Sequence, residues 1–141
     1  MGMDMVGPAI VLGLGCLGSA IGCGIAGMAS HGAMTRVEEG HGKFVGLSAA
    51  PSTQSILGFI LMVLMKNAIV AGTVSAESGV GIGLFVGIAF VGSALYQGRC
   101  AATAIQATAK QPATFGKCFL AIAIVESFAI FAFIFGLLLL G

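Results

Sequence analysis

The sequence predicts an all-α membrane protein of four transmembrane helices, built as two tandemly duplicated helical hairpins. Three observations lead there. The 141 residues are 58% apolar and only 8% charged, and their mean hydropathy of +1.11 lies far outside the range of soluble domains. Charges are separated by long gaps: 31 residues between Asp4 and Arg36, 22 between Lys43 and Lys66, 21 between Glu77 and Arg99, and after Lys117 only Glu126. The chain also matches itself when displaced by 74 residues.

A helix needs about 20 apolar residues to cross a bilayer, so the gaps place spans near 6–29, 44–66, 80–106 and 117–140. The start, MGMDMVG, carries Asp4 and no Lys or Arg. A cleaved signal peptide needs a basic leader, so the first span is expected to stay. Arg36, Lys43, Arg99, Lys110 and Lys117 flank the first and third loops, whereas only Lys66 borders the second. Hairpin loops 30–43 and 107–116 are therefore expected in the cytoplasm, with both termini outside. The units become 1–67, a first hairpin; 68–80, an extracytoplasmic connector; and 81–141, a second hairpin.

The first span contains GLGCLGSAIGCGIAG, which fits G-x-G-x-x-G twice. A dinucleotide loop must follow a strand and present backbone N–H groups to a pyrophosphate. Inside an uncharged stretch long enough to span lipid, an open loop would leave those groups unpaired. No directly bound nucleotide is expected, and a net charge of +1 gives no footprint for nucleic acid. Cys16, Cys23, Cys100 and Cys118 lack paired C-x-x-C spacing, and His31, Glu38, Glu39 and His41 are irregularly spaced in a loop, so no zinc or other resident metal centre is expected.

The glycines serve packing instead. At about 100° per residue, Gly13, Cys16, Ala20, Gly24 and Gly27 fall on one side of a helix, and Gly15, Gly18, Gly22 and Ala29 on the other. Small residues let membrane helices approach closely. Two such faces suit a helix with a close neighbour on each side, as in a closed ring of head-to-tail copies; a glycine-rich helix buried in one four-helix bundle is the alternative.

Displacement by 74 lays residues 7–67 over 81–141 without a gap, and 14 of the 61 positions are identical. Gly18-Ser19-Ala20 falls over Gly92-Ser93-Ala94, and Gly42-Lys43 over Gly116-Lys117. Glu126, however, falls over Ser52, so only the second hairpin carries a membrane carboxylate. An ionisable group at the centre of a span costs about 2.5–3.5 kcal/mol on insertion scales, which marks Glu126 as a functional candidate.

Other polar groups reach its depth. Gln97 lies 15 residues before Pro112 and Glu126 lies 14 after it, while Gln54 lies 16 after Glu38, the position equivalent to Pro112. At about 1.5 Å per residue, all three sit roughly 20–25 Å from the loop tips. Pro51 cannot donate a backbone hydrogen bond, so it frees a carbonyl one turn earlier, beside Ser52, Thr53 and Gln54. These are oxygen donors, suited to a hard cation. One carboxylate and one monovalent ion leave the site neutral, and a neutral site crosses hydrocarbon far more cheaply than an empty carboxylate.

These residues resemble the rotor-ring subunit K, or proteolipid subunit, of V-type and A-type ATPases and ATP synthases. The likeness covers nearly the whole chain and is carried by PSTQSILGF in the second span, QGRCAATAIQATAKQP leaving the third and IVESFAIFAF in the fourth. It implies a homo-oligomeric ring in lipid, turned against a stator membrane subunit and joined by a central stalk to an ATP-handling head. On that pattern the chain itself is not an enzyme, and it sits in a bacterial or archaeal cell membrane. The family's carboxylate falls on Glu126. In sodium-coupled relatives the remaining ligands correspond to Thr53, Gln54, Gln97 and the carbonyl of Ala50, which implies Na+ as cargo and no cofactor. Leu57 stands where such relatives have a supporting Tyr; both Na+ and H+ therefore stay open, with Na+ favoured. A small proton-coupled multidrug antiporter would also have four short spans, but its Glu is expected in the first of them among aromatic residues. Here the first span has none.

Overall fold

The first helix, α1 (Val6–Met34), follows a short 3-10 turn and runs through the glycine-rich stretch without interruption. The computed structural model describes residues 2–141. After α1 the chain reverses at Gly40, whose φ of +83° is accessible to glycine at little cost. The second span consists of α2 (His41–Ala49), a 3-10 turn over Ala50–Ser52, and α3 (Thr53–Val70). Gly72, at φ +76°, closes α3: its N–H and that of Thr73 cap the carbonyls of Ile69 and Ala68. Ser75 then caps α4 (Ala76–Lys110) by accepting the N–H of Ser78 at 3.2 Å. Gln111 adopts φ −138° and ψ +89°, outside the helical region as expected before Pro112. A 3-10 turn leads into α5 (Phe115–Leu138).

All four helical stretches are long and apolar enough to cross a membrane, and the chain is an integral multi-pass membrane protein. Several helix ends lie beyond the hydropathy limits, although α5 stops at Leu138 rather than 140. α1 reaches Met34 rather than 29, α4 reaches Lys110 rather than 106, and the connector expected over 68–80 shrinks to residues 71–75. Hydropathy registers only the lipid-compatible part of a helix. Ala101 to Lys110 is rich in Ala, a strong helix former, and carries α4 on beyond its most apolar stretch.

α1 and α4 lie side by side and parallel, with α3 against α1 and α5 against α4. Their contact is backbone on backbone. A Cβ on Gly18 would come within 2.8 Å of the Val91 Cα, and one on Gly22 would strike the Ala94 carbonyl. Lipid is as apolar as leucine, so this proximity, rather than escape from water, holds the pair together. The other glycine face is open: Gly13, Gly24 and Gly27 have nothing of this chain within 4 Å of a built Cβ. One of the two expected neighbours of the first span is thus the third span of the same chain.

Two apolar clusters fill the interior. Val11, Leu61, Val86, Phe90 and Ala129 form one. Ala26, Phe44, Leu47, Ala101, Ile105 and Ile122 form the other, nearer the hairpin loops. Along every span a polar residue separates them: Ser19 in α1, Gln54 in α3, Ser93 and Gln97 in α4, and Glu126 in α5.

Candidate ion-binding site

Gln54 and Gln97 are fully buried (0% exposed), and burying an amide is tolerable only when its hydrogen bonds are met. Gln54 Nε2 donates to Gln97 Oε1 at 2.8 Å and to Ser93 Oγ at 3.1 Å. Gln97 Nε2 in turn donates to Glu126 Oε2 at 3.3 Å. A directed series runs from the second span through the third to the carboxylate of the fourth. Glu126, half-buried, forms its outer edge.

Gln54 Oε1 is buried and faces no donor. An orphaned carbonyl oxygen there costs about 1–3 kcal/mol, which a cation or a hydrogen-bond donor would recover. That oxygen, Gln97 Oε1 and the Glu126 carboxylate are hard oxygen donors, the kind that could hold a hard cation.

Thr53 and Ala50 stand apart from the series. The Thr53 hydroxyl donates to the Ala50 carbonyl at 3.3 Å, within its own turn, and the Thr53 oxygen keeps lone pairs for another partner. The carbonyl that Pro51 was expected to free does not stay free: that of Leu47 takes the Ala50 N–H instead. Loss of the proline N–H has tightened the chain into a 3-10 turn rather than leaving a gap. Leu57 packs against the apolar cluster that contains Val11 and Phe90.

Two serines complete the layer. Ser93 accepts from Gln54 and donates to the Val125 carbonyl at 3.0 Å, so it joins the amide series to the turn of α5 that bears Glu126. Its repeat counterpart Ser19 accepts the Ser55 N–H at 3.0 Å and fastens α1 to the turn beside Gln54. In the sequence both serines stand out only as identities of the repeat, without a role. The available signal was a hydroxyl kept in both copies at the depth of the carboxylate.

Of the packing glycines, Gly15, Gly18 and Gly22 line the interior seam, and a Cβ on Gly15 would lie 2.7 Å from the Gln54 carbonyl. These glycines let α1 close over the layer.

Comparison with known proteins bears on the same features. The family of the ATP synthase C-subunit matches twice, over residues 6–65 and 80–139, a displacement of 74 at both ends. The A-type ATP synthase subunit K of Methanocaldococcus jannaschii is 36% identical over 123 residues, covering 86% of this chain and 56% of that protein. The chain thus spans little more than half of that relative. The V-type sodium ATPase subunit K of Enterococcus hirae is 34% identical over 126 residues, covering 87% of this chain and 80% of its own length.

Proposed function

The chain belongs to the ATP synthase C-subunit family, and from that premise we propose that it is a rotor-ring subunit of a V/A-type ATPase or ATP synthase that carries Na+ on Glu126. The observation that carries this reading is the Gln54–Gln97–Glu126 series ending in a single carboxylate, with the Gln54 carbonyl oxygen left without a donor. Gln54 and Gln97 supply neutral oxygens, Glu126 the compensating charge, and Thr53 and the Ala50 carbonyl close the cation's remaining side. The name of the Enterococcus relative, a sodium ATPase, favours Na+ over H+.

Charge balance then governs movement. With Na+ bound the site is neutral and passes through lipid; without it the carboxylate is costly to expose and must face a positive group on a stator. Identical copies form the ring, and a central stalk couples its turning to ATP synthesis or hydrolysis elsewhere in the complex. The chain supplies no group to the nucleotide chemistry. Both hairpin loops face the cytoplasm, where the stalk engages them.

A hydrophobic carbodiimide tests the assignment. It should modify Glu126 in purified membranes, and added Na+ should protect. Protection by Na+ identifies the cargo, whereas acid-accelerated labelling indifferent to Na+ assigns H+. Coupled transport that survives Glu126→Gln would overturn the role of this residue.

A further inference from the structure

The duplication makes the seam inside one chain a template for the seam between chains. Residues 7–67 and 81–141 are related by a shift of 74. If successive hairpins around a closed ring follow one rotation, each contact from hairpin one to hairpin two recurs from hairpin two to hairpin one of the next copy. The contacts inside the chain can therefore be rewritten, residue by residue, as contacts between copies.

Within the chain, the Leu14 side chain packs on Gly87, Val91 on Gly18, and Gly98 on Gly22. Shifted by 74, these become Ile88 on Gly13 of the next copy, Gly92 on Leu17 of the next copy, and Tyr96 on Gly24 of the next copy. Every residue in the rewritten set is open on the isolated chain. Ile88, Tyr96 and Leu17 are 63%, 58% and 50% exposed. Gly13, Gly24 and Gly92 have nothing within 4 Å of a built Cβ. Sizes also match, since the bulky Ile88 and Tyr96 meet glycines.

A second observation converges on the same surface. A groove of about 460 Å³ runs along α4 and α5, lined by Gly92, Ser93, Tyr96, Cys100, Val125 and Phe128. Their counterparts in the first hairpin, Gly18, Ser19, Gly22, Ala26, Pro51 and Gln54, are all buried. What covers Gly18 there is Val91 and Ala94 of α4. Their counterparts are Leu17 and Ala20, which lie on the open side of α1.

We propose that a second copy of this chain seats the open face of its α1 in this groove, with Ile88 over Gly13, Gly92 against Leu17 and Tyr96 over Gly24 of that copy. This rests on the reading of the chain as a ring subunit and adds the register of its interface. The groove borders the turn carrying Glu126, so the incoming helix closes the flank of the site that one chain leaves open. No amide crosses this second seam: Phe128 stands in the position of Gln54, and Cys23 of the next copy in that of Gln97.

Cysteine pairing tests the register. With Cys16, Cys23, Cys100 and Cys118 changed to alanine, Gly13→Cys and Ile88→Cys are placed together in the full chain and oxidised in its membrane with copper phenanthroline. The equivalent Leu14 Cβ lies 2.9 Å from a Cβ built on Gly87, and disulfides place Cβ atoms about 3.8 Å apart, so a small opening of the seam suffices. The expected result is a ladder of covalent multimers, absent from either single variant. Gly13→Cys with Tyr96→Cys, displaced by about 12 Å along the helix, should yield at least tenfold less. A multimeric particle in which the displaced pair links better, or the matched pair fails, overturns the register and leaves the rotor reading standing. A particle that is monomeric in lipid overturns both.

Discussion

Ser93 Oγ accepts a hydrogen bond from Gln54 Nε2 at 3.1 Å and donates one to the Val125 carbonyl at 3.0 Å. One hydroxyl on α4 thus holds an amide of α3 and the backbone beside Glu126 in fixed relation. It has no charge, yet it sets the geometry of the candidate site.

Ser93→Ala is accordingly expected to weaken Na+ protection of Glu126 against carbodiimide by roughly tenfold, the loss of one or two hydrogen bonds at about 1 kcal/mol each. Labelling without Na+ should remain. Ser19→Ala, which frees the Ser55 N–H, should have a smaller effect in the same titration.

Gln97→Leu removes both the acceptor for Gln54 and the donor to Glu126. Na+ protection should fall at least 100-fold, because a buried amide partner is orphaned together with the loss of a ligand. Gln54→Leu should behave alike, and isothermal titration of the detergent-purified ring measures both.

The two glycine faces should respond oppositely to added bulk. Gly22→Leu drives a side chain into the Ala94 carbonyl and Pro51 and is expected to destabilise the chain by about 3 kcal/mol. Gly24→Ala meets open space in the isolated chain, where a gain of about 0.5–1 kcal/mol in helix propensity is expected. Denaturant titration of the helical signal in detergent separates the two.

Leu57→Tyr restores the hydroxyl that the sodium-coupled pattern carries at this position. Na+ affinity should rise roughly tenfold, the worth of a hydrogen bond to a charged group, about 1.5–3 kcal/mol, less the cost of displacing leucine from its packing. No change in the protection titration would place the new hydroxyl out of reach of Glu126.

The depth of Gln54, Gln97 and Glu126 was legible in the sequence because helical rise converts residue number into distance from a loop. Glu126 stood out because charge is costly in lipid. The serines were not legible in the same way. A hydroxyl in a membrane helix can satisfy itself on its own turn, as Ser52, Ser55 and Ser127 do, and nothing in the local sequence distinguishes Ser93 from these. The carbonyl expected to be freed by Pro51 misled for a related reason. Counting α-helical bonds locates the acceptor that loses its donor, but the backbone answered by tightening, and the Ala50 N–H took the orphaned oxygen of Leu47. The two glycine faces could be read from periodicity; which one stayed within the chain depended on tertiary pairing.

Phe128, 64% exposed, occupies the place where exact repetition would have put a second glutamine. Amides at both kinds of junction would give a passenger ion a polar path around the circumference. A phenyl ring there offers no such path. If the chain is the rotor subunit proposed above, an ion held at one carboxylate would find no polar route sideways to the next and would have to board and leave where something outside the wheel comes to meet it.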